Sequence, residues 1–388
     1  MKPRLDADVV VVGGGVVGAC AALALARDGR TVAIVEAHAP EPWRQDAPDL
    51  RVYALAPDSI ALLEDVGAWP RIASARVQPF TDMRVWDAAG GGELHFDAMQ
   101  AGRQTLGHIV EHGLVVDRSW ALLSREPRVA VHCPEKVAGI VQDDDVATVE
   151  LAGGTRLRAG FVVAADGAVS SVRRLVGIGT DEHDYGQRGL VAYVRTQRPH
   201  EATAWQRFLP SGPLAFLPCR DGLSSIVWTV PDAEAARLLA LDDAAFAREL
   251  ERAFDARLGT VEMASARRAF PLRRVLAREY AVGRVLLAGD AAHAVHPLAG
   301  QGVNLGLRDV AALRVLWRDG RAPSLERVQR WARERRSDNA VAAHAFEAIN
   351  AAFSNDALVP TLLRGPALAL VGRVAPLGGF FLRRAMGL

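Results

Sequence analysis

Three short turns in this sequence carry residue types on which chemistry could be built. The first is Gly13-x-Gly15-x-x-Gly18, with Glu36 farther along. The second is Asp166-Gly167, within Ala164-Ala-Asp-Gly-Ala-Val-Ser170-Ser-Val-Arg173. The third is Gly289-Asp290-Ala-Ala-His293, running on through His296, Pro297, Gly300 and Gly302 to Val303 and Asn304. In the first turn Gly13 permits a tight bend, Gly15 lets the backbone approach a pyrophosphate, and Gly18 allows close helix–strand contact. A helix starting there presents free N–H groups to phosphates. Glu36 is placed to accept both hydroxyls of an adenosine ribose, which disfavours a 2′-phosphate. Asp290 can hold a polyol hydroxyl, as the ribityl chain of a flavin requires. A helix starting near Gly302 would aim its positive end at the flavin pyrimidine.

The elements that must position these residues are legible in outline. Val9 to Val12 form a continuous β-branched run, the pattern of a strand buried on both faces. Small helix-favouring residues follow over Ala19–Arg27, Asp28-Gly29 closes the helix, and Thr31–Val35 is the next strand, giving a βαβ unit. Residues 161–165 and 285–288 are apolar strands ending at the second and third turns, so they are expected in the same sheet. Leu190–Arg195, Trp205–Leu209, Leu214–Leu217 and Ser225–Val230 alternate with Pro/Gly turns and predict a second, mostly antiparallel sheet. The fold class is therefore α/β: a Rossmann-like nucleotide-binding domain interleaved with a mostly antiparallel substrate domain, followed by C-terminal helices. The expected division is 1–79, 116–184 and 273–340 for the first domain, 80–115 and 185–272 for the second, and 341–388 for the helical region.

Other features have plainer readings. Asp290, His293 and His296 recur at intervals a metal could use, but the carboxylate has a better use at a polyol. Pro297 also breaks any helix that would align the imidazoles, so no metal is expected. His293, His296 and Pro297 are read as pocket residues, and no acid or base is assigned. Asp143–Asp145 reads as a solvated turn and Arg333–Arg336 as a solvated helix face. Trp205, Phe208, Phe216 and Trp228 divide between core and pocket in a way the sequence leaves open. The apolar stretch 358–388, interrupted by Arg364, Arg373, Arg383 and Arg384, reads equally as a helical cap or as a surface meeting a membrane.

The chain has 388 residues, 50% of them hydrophobic, enough for a substantial core and too apolar for a disordered chain. Its 46 basic and 45 acidic residues give no pull towards nucleic acid. Cys20, Cys133 and Cys219 are too few and too scattered for a disulfide framework, which suits a reducing compartment. No leader-like segment and no run long enough to span a bilayer is present, so a cytoplasmic protein is expected.

The ordered set of turns resembles the FAD-dependent hydroxylases of ubiquinone biosynthesis, which share the para-hydroxybenzoate hydroxylase fold. The segment 289–309, GDAAHAVHPLAGQGVNLGLRD, is similar to that family's signature. So are Asp49-Leu-Arg51, Leu106-Gly-His108, Leu214–Pro218, Phe270-Pro-Leu272, Phe353-Ser-Asn355 and Ala385–Leu388. Val85-Trp86-Asp87, Val194-Arg195-Thr196 and the terminus lean towards the 2-polyprenylphenol 6-hydroxylase type. The resemblance implies a monooxygenase using FAD, NAD(P)H as transient donor and O2 to hydroxylate a polyprenylated phenol or quinone precursor. It implies that Gly13, Gly15, Gly18 and Glu36 hold the ADP half of FAD and that Arg51 reaches the pyrophosphate or flavin. Asp166 and Gly167 would support the pyrophosphate, Asp290 the ribityl chain, and Gly300, Gly302, Val303 and Asn304 would border the flavin ring. Arg118 stands where the family often has Gln. Other ubiquinone-synthesis proteins and peripheral membrane contact are the partners this would bring, and nucleic acid is not among them. Two alternatives remain open: a flavin-dependent reductase of a prenyl lipid, and a non-catalytic flavin-binding subunit of a quinone-synthesis complex.

Overall fold

The computed structural model describes residues 5–88, 92–295 and 302–353. The first sheet has the order β18–β19–β11–β1–β2–β8. These strands are Ala281–Val282, Val285–Leu287, Arg156–Ala164, Ala7–Val12, Val32–Val35 and Val129–His132. Strands β19, β11, β1, β2 and β8 run parallel. The hairpin β9 (Val137–Gln142) and β10 (Ala147–Leu151) extends β11 antiparallel, with Asp143–Asp145 as its turn. Val9 to Val12 are buried because both faces of this sheet are covered, which is why the strand reads as an unbroken apolar run.

The helix α1 (Val16–Arg27) has Ala19 to Ala26 buried without a polar face. A helix apolar all round belongs in an interior, and its small residues allow close packing on α4 (His112–Leu123) and α8 (Gly302–Leu316). α9 (Leu325–Phe353) lies along α8. The short helix α5 (Ser171–Leu175) follows the second turn.

The second sheet has the order β20–β17–β12–β15–β14–β13–β5–β6, with β16 pairing β12. Its strands are His293–Ala294, Arg268–Ala277, Thr180–Thr196, Leu223–Pro231, Gly212–Pro218, Thr203–Leu209, Asp82–Asp87 and Glu93–Asp97, with β16 at Val261–Met263. Only β13 and β5 pair in parallel. One face packs Leu190, Phe216, Ile226 and Trp228 against α6 (Asp232–Ala240) and α7 (Asp243–Ala253). The other packs Tyr193, Leu217 and Ala204 under a third, three-stranded sheet. That sheet joins β3 (Val52–Leu55), β7 (Gly107–Glu111) and β4 (Val77–Phe80), with α2 (Pro57–Asp65) and α3 (Trp69–Ala73) between β3 and β4. Among the described residues no helix is long and apolar enough to cross a membrane. The stretch 358–388 lies outside them.

Candidate functional site

The three turns leave the carboxyl ends of adjacent parallel strands. Val12 pairs with Val35 on one side and Ala164 on the other, and Ala164 pairs with Leu287. With strands about 4.8 Å apart, Glu36 and Gly289 begin only about 14 Å from each other. The strand order reverses at β1, and ligands of open α/β sheets bind outside such a switch point.

At the first turn Gly13 has φ +101°, and a Cβ there would come within 2.3 Å of the Ala165 carbonyl oxygen. A Cβ on Gly18 would lie 1.9 Å from the Gly13 carbonyl oxygen, so α1 can sit this close to β1 only with glycine. Gly15 is different: its Cβ direction meets nothing within 4 Å. No side chain caps α1 and no acid occupies its first turn, so the helix start is open to an anion. The Glu36 carboxylate accepts the Gly14 N–H and, at 3.0 Å, that of His38, which folds it onto the turn. Trp120 underlies this loop, its indole N–H donating to the Gly14 carbonyl at 2.7 Å. Sequence reasoning missed Trp120, which carries no motif of its own.

The second turn is built around Asp166. Asp166 accepts hydrogen bonds from both Ser170 and Ser171 hydroxyls and from the Ser171 and Val172 N–H groups, capping α5. It therefore shapes the loop that carries Gly167. Arg173, quoted in the motif without a role, ties the turns together. Its guanidinium donates to the Ala168 carbonyl at 2.8 Å and to Ala291 of the third turn at 2.7 Å.

In the third turn Asp290 is half-buried and has no hydrogen-bond or ion-pair partner among the described residues. His293 corrects the pocket expectation: it is wholly buried behind the turn, its Nε2 2.6 Å from Asp309. Burial favours the neutral acid at Asp309, but His293, Arg335 and Asn339 outweigh that and hold the carboxyl below its ordinary range. Arg335 likewise corrects the solvated reading of 333–336, since only its neighbours Arg333, Glu334 and Arg336 are exposed. Asn304 is also turned inward, donating to the Ala54 carbonyl at 2.8 Å and accepting the Ala56 N–H at 2.9 Å. Its amide thus pins α8 to the end of β3 and the start of α2. Val303 is buried, and Gly302 opens α8 with no atom in its Cβ direction within 4 Å. His296, Pro297 and Gly300 lie outside the described residues.

Arg51 is exposed, its guanidinium 5.4 Å from the centre of the Tyr53 ring. The Tyr53 hydroxyl meets His112 Nδ1 at 2.8 Å, and burial together with the Arg51 charge pushes that imidazole down to about 4. Arg118 is held by Asp117 at 2.7 Å and lies against Trp43, occupied within its own helix surface. Phe208, Phe216 and Trp228 are core. Trp205 packs on the core of Phe216 and Trp228, while on the opposite face Val191, Val227 and Ala215 are partly buried, the last two against the cluster under the third sheet.

The sequence pattern of a family described as an FAD binding domain matches residues 6–317. The chain is 34% identical to 3-demethoxyubiquinol 3-hydroxylase of Escherichia coli (strain K12), covering 98% of both chains. It is 38% identical to ubiquinone hydroxylase UbiL of Rhodospirillum rubrum, covering 98% of this chain and 90% of the relative. The fold is similar to that of p-nitrophenol 4-monooxygenase PnpA from Pseudomonas putida DLL-E4, with a TM-score of 0.81 at 22% identity over 100% and 99% of the two chains.

Proposed function

The chain belongs to the FAD-dependent ubiquinone-biosynthesis hydroxylase family, and from that premise we propose that it hydroxylates the ring of a polyprenylated phenol or quinone precursor with NAD(P)H as electron donor. It is a flavin-dependent monooxygenase. When bound, FAD would supply the redox chemistry, electron acceptance from the nicotinamide and activation of O2 for insertion of one oxygen atom into the ring.

The observation that carries the reading is the convergence of an open helix start at Gly15 and an unengaged carboxylate at Asp290 on one sheet edge. In this reading the N–H groups of the first turn of α1 hold the pyrophosphate in the space a Gly15 side chain would fill. Glu36 accepts from the adenosine ribose with its remaining lone pairs, and Asp290 accepts from the ribityl chain. Gly167 leaves room on the far side of the phosphates, Arg51 supplies a mobile cation at their rim, and Gly302 starts the helix that faces the ring. Three residues beyond Asp290 the chain enters the second sheet as β20, and in this reading the substrate lies on that sheet at Val191, Val227 and Ala215. That row is apolar, which suits a phenol with an isoprenoid tail and keeps water from the reacting atoms. The interleaved division at 79, 115, 184, 272 and 340 belongs to the same reading. A cytoplasmic protein working at the inner membrane face fits a substrate whose tail partitions into lipid.

The test is product identification. Purified protein loaded with FAD, given NAD(P)H, 18O2 and a 2-polyprenylphenol, should yield a ring-hydroxylated product carrying one labelled oxygen. Consumption of NAD(P)H with a reduced prenyl chain and no label would establish the reductase alternative instead.

A further inference from the structure

We propose that Asp309 is a positioning residue for the cofactor turn: it holds Gly289 and His293 from behind, is itself held by α9, and so leaves Asp290 free to face the FAD. The inference rests on FAD occupying the three-turn site. Asp309 is wholly buried, and both of its oxygens are engaged. One accepts the Gly289 N–H at 3.0 Å and His293 Nε2 at 2.6 Å. The other accepts Arg335 Nε at 2.9 Å and the Asn339 amide at 3.0 Å. An ionised carboxylate only accepts, so His293 Nε2 carries a proton and the imidazole orientation is fixed. Two fixed points, at Gly289 and His293, flank Asp290 and define the turn on which it rides.

The hold extends beyond the turn. From Arg335 to Glu347, α9 runs about 18 Å at its ordinary rise per residue. Glu347 accepts the Tyr185 hydroxyl at 2.8 Å and pairs with Arg274 of β17 at 3.0 Å. β17 in turn pairs with β20 through Val275–Ala294 and Leu276–His293. The contacts close a ring: turn, Asp309, α9, second sheet, and back to His293. Asp309 is the member of that ring that touches the cofactor turn through its backbone.

The charged and titratable groups facing Asp309 are His293 on β20 and Arg335 on α9. Tyr280 stacks on His293 at 6.1 Å, and Asp338 pairs with Arg335 from the solvent side at 2.9 Å, with Arg336 beside them. Arg335 is the fixed cation among them, so its removal both weakens the hold and makes Asp309 easier to protonate.

The experiment titrates FAD-stripped full-length protein with FAD, read by flavin fluorescence between pH 5 and 8, with the melting temperature of the stripped protein measured alongside. Arg335→Met should weaken FAD binding about tenfold near neutrality, the loss of one buried charged hydrogen bond, and move the acid limb of binding to higher pH. Arg335→Lys keeps the charge and should restore most of both. If the methionine variant does not fold, Asn339→Ala removes a donor without removing the charge and should weaken binding a few-fold with the acid limb in place. Unchanged affinity in these variants would overturn the proposal. So would equal losses at every pH in the Met and Lys variants that merely track melting temperature. A wild-type protein that takes up no FAD would instead overturn the cofactor assignment beneath it.

Discussion

The Asp290 carboxylate has no partner among the described residues, whereas Asp166 accepts four hydrogen bonds from the start of α5. Two aspartates next to glycines, each at the end of a strand of one sheet, are thus prepared for opposite uses. Removing a carboxylate with no hydrogen-bond or ion-pair partner among the described residues leaves the fold alone; removing one that holds a helix start costs stability. Asp290→Ala should lower FAD affinity about tenfold, as loss of a charge-assisted hydrogen bond would, with the melting temperature of the cofactor-free protein unchanged. Asp166→Ala should cost about 1–2 kcal/mol of stability in denaturant unfolding, comparable to a lost N-cap, because it leaves the Ser171 and Val172 N–H groups at the start of α5 without their acceptor. The reverse pattern would exchange their roles.

At the scale of the element, the glycines around α1 divide in the same manner. A Cβ at Gly18 would overlap the Gly13 carbonyl, so the helix would have to leave the strand. A Cβ at Gly15 meets no atom of the described residues within 4 Å, and its φ of −68° suits any residue. Gly18→Ala should therefore destabilise the protein by about 3 kcal/mol or prevent folding, as overpacking of a buried contact does. Gly15→Ala should melt at the wild-type temperature and lose FAD affinity, because the added methyl stands where a phosphate would. Equal thermal stability of the two variants would remove the distinction. The spacing of the three glycines was legible from the chain; that one of them faces empty space and another faces backbone was not.

At the scale of the molecule, burial sets how stability responds to acid. His112 Nδ1 shares a hydrogen bond with the Tyr53 hydroxyl near the exposed Arg51 charge, and burial and that charge hold it down to about 4. Its unfolded value is near 6.5, so between those two values the unfolded chain binds a proton that the folded chain does not. Stability from this group is full above about pH 6.5 and falls as pH drops towards 4, by about 2–3 kcal/mol in all. Melting temperature followed over that window should decline in the wild type and decline less in His112→Gln. A flat wild-type profile would show that His112 titrates normally. The pairing of β3 with β7, which brings Tyr53 and His112 together, joins segments far apart in the chain, and the stretches that contain them gave neither residue a role.

The sequence by itself determined what is local: the βαβ unit, the three turns after three apolar strands, and the antiparallel run from 190 to 230. Each is set by periodicity or by a residue type that only one backbone geometry accepts. The tertiary structure decided which polar side chains remained available. Asp166, His293 and Asn304 carry motif residue types, yet each satisfies buried groups that lie outside its own turn or on another element. Trp120 lies in no motif, and Arg173, Asp309 and Arg335 lie in quoted segments that gave them no role; their roles became visible only when folding placed donors and acceptors from distant segments within hydrogen-bonding distance. A buried polar atom must find a partner, and which partner is a property of the packed molecule rather than of the neighbouring residues in the chain.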